Sequence, residues 1–380
     1  MDFSFSEEQG DLREAVIRFR QELNEGFAER EKSGEFPRQA WRKCAQMSLM
    51  ALPFPQQYGG CGLDLLTTAL TLNALGYACK DAGLVHAVVT QILCGLQILT
   101  FGSEAQKSRY LPAVCSGEAI LAQAITEPGS GSDALAMGTR AEKRQDHYRL
   151  GGNKIFISNG PVADVVVVFA VTDPQVKTFG GISCLIVEKD FPGFTRCRPM
   201  EKMGLTTLQN GELVFEDCAV PLTHLLGREG QGAIIFNESM EVERCLMPAV
   251  HLGTLERILE TCVQHARRRQ AFGQPIGKYQ AVAGKIAEMK VNLELGRLML
   301  CKAASLKDQK KRAGLEASIS KLFISESLKK ACLDAVQIHG GFGYMKEGEI
   351  ERDLRDSIAA TIYSGTSELQ HNIIARLIGL

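Results

Sequence analysis

The sequence predicts a mainly α-helical chain with a small β-domain lodged between two helical blocks. Apolar residues recur every three or four positions up to about residue 120. Runs of β-branched residues bounded by Gly, Pro and Asp fill the middle, and the helical period returns after Gly227-Arg228-Glu229-Gly230-Gln231-Gly232. The expected domains are a helical one over 1–120, a β-domain over 121–226 and a four-helix-like block over 227–380.

In the first block Leu65-Leu66, Leu70 and Asn73-Ala74-Leu75 show the helical period, while Pro53-Phe54-Pro55, Gly59-Gly60-Cys61-Gly62 and Phe101-Gly102-Ser103 mark loops. In the second, Tyr148-Arg149-Leu150 runs into an expected turn at Gly151-Gly152-Asn153. Strands then follow at Lys154 to Ser158, Val165 to Val171, Ile182 to Val187 and Glu212 to Phe215. The last block continues almost to the C-terminus, with one charged break at Lys307-Asp308-Gln309-Lys310-Lys311-Arg312. No internal repeat or low-complexity tract interrupts this order.

Composition narrows the function. The chain has 380 residues, more than one simple core serves, with 43 basic against 44 acidic side chains. That balance disfavours nucleic acid as a partner. Met1-Asp2-Phe3-Ser4-Phe5 has no basic region leading into an apolar run, and no stretch of about 18 consecutive apolar residues without charge is read. A cytoplasmic protein without a membrane span is expected. The twelve cysteines are scattered from Cys44 to Cys332 with no CxxC pair, and the seven histidines form no ligand spacing, so reduced buried thiols and no metal are expected.

Four places have the residue types that chemistry uses. Gln123-Ala124-Ile125-Thr126-Glu127-Pro128-Gly129-Ser130-Gly131-Ser132-Asp133 combines glycines, hydroxyls and a carboxylate, which suits a ligand loop and equally suits a turn. Gln337-Ile338-His339-Gly340-Gly341-Phe342-Gly343-Tyr344 invites a phosphate cradle but matches neither GxGxxG after a strand nor GxxxxGK[ST]; His339 reads as structural. Arg267-Arg268-Arg269 and Lys307 to Arg312 offer positive charge to phosphates or an acidic protein, the second run being read foremost as a solvated interhelical loop. Glu243 falls on one helical stripe with Phe236, Met240, Met247, Val250 and Ile258. Burial there would raise its pKa and suit it to act as a base, and the pattern serves equally a structural Glu neutralised by Arg244 or another cation.

Four motifs in order resemble the acyl-CoA dehydrogenase family across the whole chain: Ile125 to Asp133, Arg269-Gln270-Ala271-Phe272-Gly273, Gln337 to Tyr344, and Ile362-Tyr363-Ser364-Gly365-Thr366-Ser367-Glu368. The resemblance implies an N-terminal helical domain, a middle β-barrel-like domain and a C-terminal four-helix bundle, assembled as a homotetramer around FAD. Gln123, Ile125, Thr126, Phe156 and Ser158 match positions around the isoalloxazine ring. Arg269, Phe272, Gln280, Gln337 and Gly341 match positions reaching the flavin of an adjacent subunit, and Thr366 and Glu368 fall in a further flavin-contact segment. Ser132, grouped with the cofactor positions, matches one beside the thioester-bearing arm.

Many family members have their catalytic Glu where this chain has Ser364, and a hydroxyl cannot serve as that base unaided. The isovaleryl-type and long-chain branches instead place a Glu-Arg pair on the first bundle helix, which Glu243-Arg244 matches. The implied mechanism is α-proton removal by Glu243 with hydride passing from the β-carbon to flavin. The Ser364 backbone amide and a flavin ribityl hydroxyl would polarise the thioester oxygen.

Within the family, Asp81-Ala82-Gly83-Leu84-Val85, Val214 to Pro221, and Leu354-Arg355-Asp356-Ser357-Ile358 on through Ile373-Ile374-Ala375-Arg376 resemble flavoenzymes that oxidise a prolyl group on a peptidyl carrier protein in natural-product biosynthesis. A short- or branched-chain acyl-CoA dehydrogenase is the alternative, and a non-catalytic flavin-binding module a third reading, against which Glu243 argues. The electron acceptor is expected to be an electron-transfer flavoprotein or dioxygen.

Overall fold

The computed structural model describes residues 5–176 and 180–380; Met1 to Ser4, part of the stretch read for an export signal, lie outside them. Seven helices come first: α1 (Glu7–Arg18), α2 (Arg20–Asn24), α3 (Phe27–Ser33), α4 (Arg38–Gln46), α5 (Leu65–Ala78), α6 (Ala82–Phe101) and α7 (Glu104–Cys115). Their starts follow local chemistry. Ser6 with Gln9 and Ser103 with Gln106 form capping boxes, and the Asp64 and Asp81 carboxylates accept the Thr67 and Leu84 amides.

Helix α6 contains no Asp, Glu, Lys or Arg and is long and apolar enough to cross a membrane, which the hydropathy reading of the sequence passes over. Here 78% of its most apolar window is buried inside the fold, as befits a core helix.

Eight strands follow: β1 (Leu121–Ala124), β2 (Arg140–Lys143), β3 (His147–Ser158), β4 (Val165–Val171), β5 (Ile182–Glu188), β6 (Phe194–Pro199), β7 (Asn210–Pro221) and β8 (Leu225–Leu226). They form one sheet in the order β6-β7-β3-β2-β4-β5-β8, with β1 parallel beside β4. The continuous apolar run of β4 is explained by burial on both faces. Val165, Val167 and Phe169 pack into the core shared with Phe54, Ile98 and Leu111, while Val166, Val168 and Ala170 meet Leu150, Leu213 and Val220 across the curled sheet.

The turn expected at Gly151-Gly152-Asn153 is instead a bulge inside β3. The strand runs straight through, its register against β7 slips between Leu150 and Gly152, and Gly152 takes φ +136° where a Cβ would sit 2.7 Å from Thr139 Oγ1. A glycine pair can absorb an extra residue without reversing the chain.

The remainder is helical: α8 (Gly232–Arg268), a short hairpin of β9 (Gln270–Ala271) and β10 (Gln274–Pro275), α9 (Gln280–Asp308), α10 (Gly314–His339), α11 (Gly341–Tyr344), α12 (Ile350–Ala360) and α13 (Ser367–Leu377). One apolar core unites α5 and α6 with α8, α9, α10 and α12 through residues such as Leu72, Val88, Leu252, Leu293 and Ile324. Helices α5 and α8 touch backbone to backbone: an added Cβ at Gly253 would collide with the Asn73 carbonyl oxygen, and one at Gly76 with that of Val250. The cysteines are free; Cys61 is exposed, Cys197 and Cys301 partly so, and the others are buried.

The charged run is a loop only over 309–313. Lys307 lies in the last turn of α9 and pairs with Glu238 (2.6 Å) and Glu241 (3.2 Å) of α8, and the Asp308 carboxylate accepts the Leu65 and Leu66 amides at 2.8 and 3.0 Å. These two charges are engaged in contacts between helices, Lys307 largely covered and Asp308 still exposed, because three helices converge there.

Candidate active site

A cavity of about 480 Å³ opens where α6, α8, the sheet and the Ile362–Thr366 loop meet. Its wall brings together Gln123, Ile125, Thr126, Ser132, Phe156, Ser158, Glu243, Arg244, Ser364 and Thr366, drawn from four segments far apart in sequence. Arg269, Phe272, Gln280, Gln337, Gly341 and Glu368 are not in that wall. All six are exposed, and the Phe272 ring is 97% exposed at φ +49°.

The sheet side is built around a second irregularity of β3. Register against β7 shifts between Lys154 and Ile157, and Phe156 sits at φ +61°, which turns its ring outward, 63% exposed, on the cavity wall. A bulky residue in the left-handed region marks a position held for a purpose other than packing. Beneath it the Ile125–Glu127 segment is pinned from inside. Fully buried Lys154 donates through Nζ to the Ile125 carbonyl at 2.9 Å and to the Glu127 carboxylate at 2.7 Å, and the Gly138 and Thr139 amides donate to the same carboxylate. Burial pulls the Lys154 pKa down to about 8 against the opposing pull of Glu127. For Glu127 burial acts upward, but these donors outweigh it and hold the carboxyl below its usual range.

Across the cavity, Glu243 projects from α8. Its carboxylate accepts a short hydrogen bond from the Ser364 hydroxyl and, among the described residues, has no ion-pair partner within 4 Å. Arg244 makes no direct ion pair with it: the Arg244 Nε donates to the Ser364 carbonyl at 3.2 Å. Burial is the largest influence on Glu243 and raises its pKa, opposed by the Ser364 hydrogen bond and by the charges of Arg244 and Lys321.

The Ile362–Thr366 loop is held by its carbonyls. Gln370 Nε2 donates to the Ser364 and Gly365 carbonyls at 3.0 and 3.1 Å, and buried Lys321 Nζ donates to that of Gly365 at 2.7 Å. Ser364 at φ +59° and Gly365 at φ +86° both lie in the left-handed region. With the carbonyls turned into the protein, the amides of Ser364, Gly365 and Thr366 have no protein acceptor among the described residues. Successive free amides of this kind suit a developing oxyanion.

Tyr363 and His86 complete the wall. The Tyr363 hydroxyl lies 2.6 Å from His251 Nε2, and its ring meets His86 edge-on at 4.8 Å. Burial lowers both histidines to about 3, so they are neutral imidazoles.

Lys321 escaped the sequence reading although its signal matched that of Glu243. It interrupts the stripe Ala317, Ile324 and Leu328 on the buried face of α10. Lys154, Gln370, His86 and His251 left no such trace, since each acts on a residue brought near only by folding. His339, read as structural, sits buried with Nδ1 2.8 Å from the Ala335 carbonyl of its own helix.

Three family models match consecutive segments of the chain: acyl-CoA dehydrogenase N-terminal domain over 6–118, middle domain over 122–218 and C-terminal domain over 230–379. The chain belongs to the acyl-CoA dehydrogenase family. As a member it is an FAD-dependent oxidoreductase acting on CH–CH bonds. It is 43% identical over 348 residues to the L-prolyl-[peptidyl-carrier protein] dehydrogenase of Pseudomonas fluorescens strain Pf-5, covering 91% of each chain. It superposes on the crystal structure of the prolyl acyl carrier protein oxidase AnaB with a TM-score of 0.97 at 44% identity, covering 99% of this chain and 100% of that one. On PigA with FAD and proline the TM-score is 0.97 at 37% identity, with both chains fully covered. For this acyl-CoA dehydrogenase family member, an exposed Phe156 ring, the Gln123, Thr126 and Ser158 polar groups and the open cavity between them fit a flat heteroaromatic ring.

Proposed function

We propose that this protein oxidises a prolyl group held as a thioester on a peptidyl carrier protein, giving a pyrroline or pyrrole carboxyl thioester in natural-product biosynthesis. The observation that carries the chemistry is the Glu243 carboxylate, without a direct ion-pair partner among the described residues, facing a cavity beside the free amides of Ser364 to Thr366. Similarity to proteins named for prolyl carrier substrates supports the acyl group.

Glu243 takes the proton from the carbon next to the thioester carbonyl. Its raised pKa makes it a better acceptor for a weakly acidic C–H than an ordinary surface carboxylate. The Ser364 hydroxyl fixes the rotamer of the carboxylate, and Arg244 fixes the loop through the Ser364 carbonyl. The Ser364 amide receives the thioester oxygen as negative charge grows on it. Gln123, Ile125, Thr126, Phe156 and Ser158 would hold the isoalloxazine ring, Thr366 and Glu368 would bind the cofactor from the loop segment, and Ser132 would lie beside the thioester arm. FAD, when bound, supplies the two-electron acceptor for the hydrogen leaving the β-carbon. The exposed Arg269, Phe272, Gln280, Gln337 and Gly341 would hold the cofactor of a neighbouring copy in a homotetramer. We place the enzyme in the cytoplasm, with an electron-transfer flavoprotein or dioxygen as electron acceptor.

The second reading, a short- or branched-chain acyl-CoA substrate, shares all of this except the carrier of the thioester arm. Anaerobic flavin absorbance separates the two. Bleaching by prolyl-loaded carrier protein and not by short acyl-CoAs is the expected result. Bleaching by an acyl-CoA alone would assign the second reading, and bleaching by neither would overturn both.

A further inference from the structure

The Ile362–Thr366 loop is held by two buried cations. Lys321 of α10 is 1% exposed, and its Nζ donates to the Gly365 carbonyl at 2.7 Å. Among the described residues it has no carboxylate within 4 Å; Glu326 of the same helix is taken by Lys329 and by the Ser367 hydroxyl, at 2.5 Å each. Arg244 of α8, also buried, makes no direct ion pair among the described residues and holds the Ser364 carbonyl. Lys321 is not in the cavity wall, so it acts on a ligand there only through the loop and through its charge.

Packing does not call for this lysine. Methionine or leucine at 321 would continue the buried stripe of Ala317, Ile324 and Leu328, and Gln370 Nε2 already meets the Gly365 carbonyl at 3.1 Å. A buried charge without a direct counter-ion destabilises the fold. Its place gives it a use that packing does not. Glu243 is bonded to the same loop through the Ser364 hydroxyl, so the loop joins one buried anion to two buried cations. When Glu243 takes up a proton its charge vanishes and negative charge appears on the thioester oxygen at the Ser364 amide, while Lys321 and Arg244 stay charged. Positive charge fixed in advance needs no rearrangement as the negative charge moves.

We infer that Lys321 is a positioning residue for the reaction: it grips the Gly365 carbonyl, keeps the Ser364 to Thr366 amides free for an oxyanion, and lends its charge to the enolate that forms there. The inference rests on the reading that Glu243 deprotonates an acyl thioester. Burial, then the Arg244 charge, lowers the Lys321 pKa to about 8 against Glu243, Glu326 and Glu368, which leaves the ammonium charged near neutral pH. Burial raises the Glu243 pKa, and the Ser364 hydrogen bond, Arg244 and Lys321 oppose it. Cys94 and Tyr363, the other titratable groups near Glu243, are pushed up by burial and by its charge and stay neutral.

The test compares the unaltered holoenzyme with Lys321→Met, which keeps most of the side-chain volume but has neither donor nor charge. The probe is acetoacetyl pantetheine, a thioester that forms an enolate without being oxidised. The unaltered enzyme is expected to hold that enolate, seen as a long-wavelength band against the oxidised flavin, and Lys321→Met to need a pH at least about one unit higher for half-conversion. In stopped flow with a prolyl thioester, the plateau rate of flavin reduction should fall about 10–100-fold, less than for loss of an oxyanion donor itself. The acid limb should move to higher pH, because a cation near Glu243 is gone. An unmoved half-conversion pH would overturn the inference and leave Lys321 a structural clamp, whatever happens to the thermal midpoint. If Lys321→Met does not retain FAD, Lys321→Gln, polar but uncharged and one atom shorter, takes the same readings with the same expectations. Absence of both the band and flavin reduction in the unaltered enzyme would instead sink the functional reading.

Discussion

At Glu243, burial and hydrogen bonding act on one carboxyl in opposite directions. Burial wins and raises its pKa, while Ser364 Oγ restrains the rise. Glu243→Gln keeps the shape and still accepts the Ser364 hydrogen bond, so it should retain FAD but lose about 10²–10⁴ of the rate of flavin reduction, read by stopped-flow absorbance. Bleaching at the original rate would remove Glu243 from the mechanism. Ser364→Ala tests the restraint. Removing a donor to the charged form raises the Glu243 pKa further, and the base acts only when deprotonated. The acid limb of the kcat/KM profile should therefore move to higher pH while the high-pH plateau persists. An unmoved limb would show that the hydroxyl does nothing for the base. Glu243 was legible in the sequence because it breaks an apolar stripe. Its bond to Ser364 was not, because 121 residues separate the partners and only the Ser364 amide had been assigned a part.

Among the elements, α8 does the most positioning: it contacts α5 through glycine, presents Glu243 to the cavity and holds the Gln123 side chain through Ser239. Gly253→Val adds a branched side chain where even a Cβ meets the Asn73 carbonyl oxygen, so α5 and α8 must separate. The expected destabilisation is about 1–3 kcal/mol or more, seen as a lower thermal midpoint with weaker FAD retention, and an unchanged midpoint would show that the crossing yields freely. Strands whose own residues favour extension, such as β4, were readable one by one. Leu121-Ala122-Gln123-Ala124 was not, since its alanines have little strand preference and it becomes β1 only by lying parallel to Val165–Val168. β6, at the end of the sheet and with no fully buried residue, offers no clear alternation to read. The Gly151-Gly152 pair misled for a related reason: glycine signals a departure from regular backbone without saying whether the chain turns or bulges.

For the whole molecule, the cavity and the exposed motif residues form two separate sets. Ten of the sixteen assigned positions gather around one cavity, while Arg269, Phe272, Gln280, Gln337, Gly341 and Glu368 face outward. A phenylalanine 97% exposed on a hairpin, at φ +49°, gains nothing from the fold that displays it. Its exposure makes sense if another copy covers it, and the partly exposed Val291, Leu295 and Leu298 along α9 supply further apolar surface for such a contact. Phe272→Asp places a charge where burial in the assembly is proposed. The prediction is a smaller particle by light scattering and a reduced flavin-to-protein absorbance ratio, with far-ultraviolet circular dichroism unchanged because the ring contributes no packing within its own chain beyond an edge contact with Tyr279. If the variant keeps both its particle size and its flavin, the outward-facing set has no part in assembly, and each copy must hold the whole cofactor by itself.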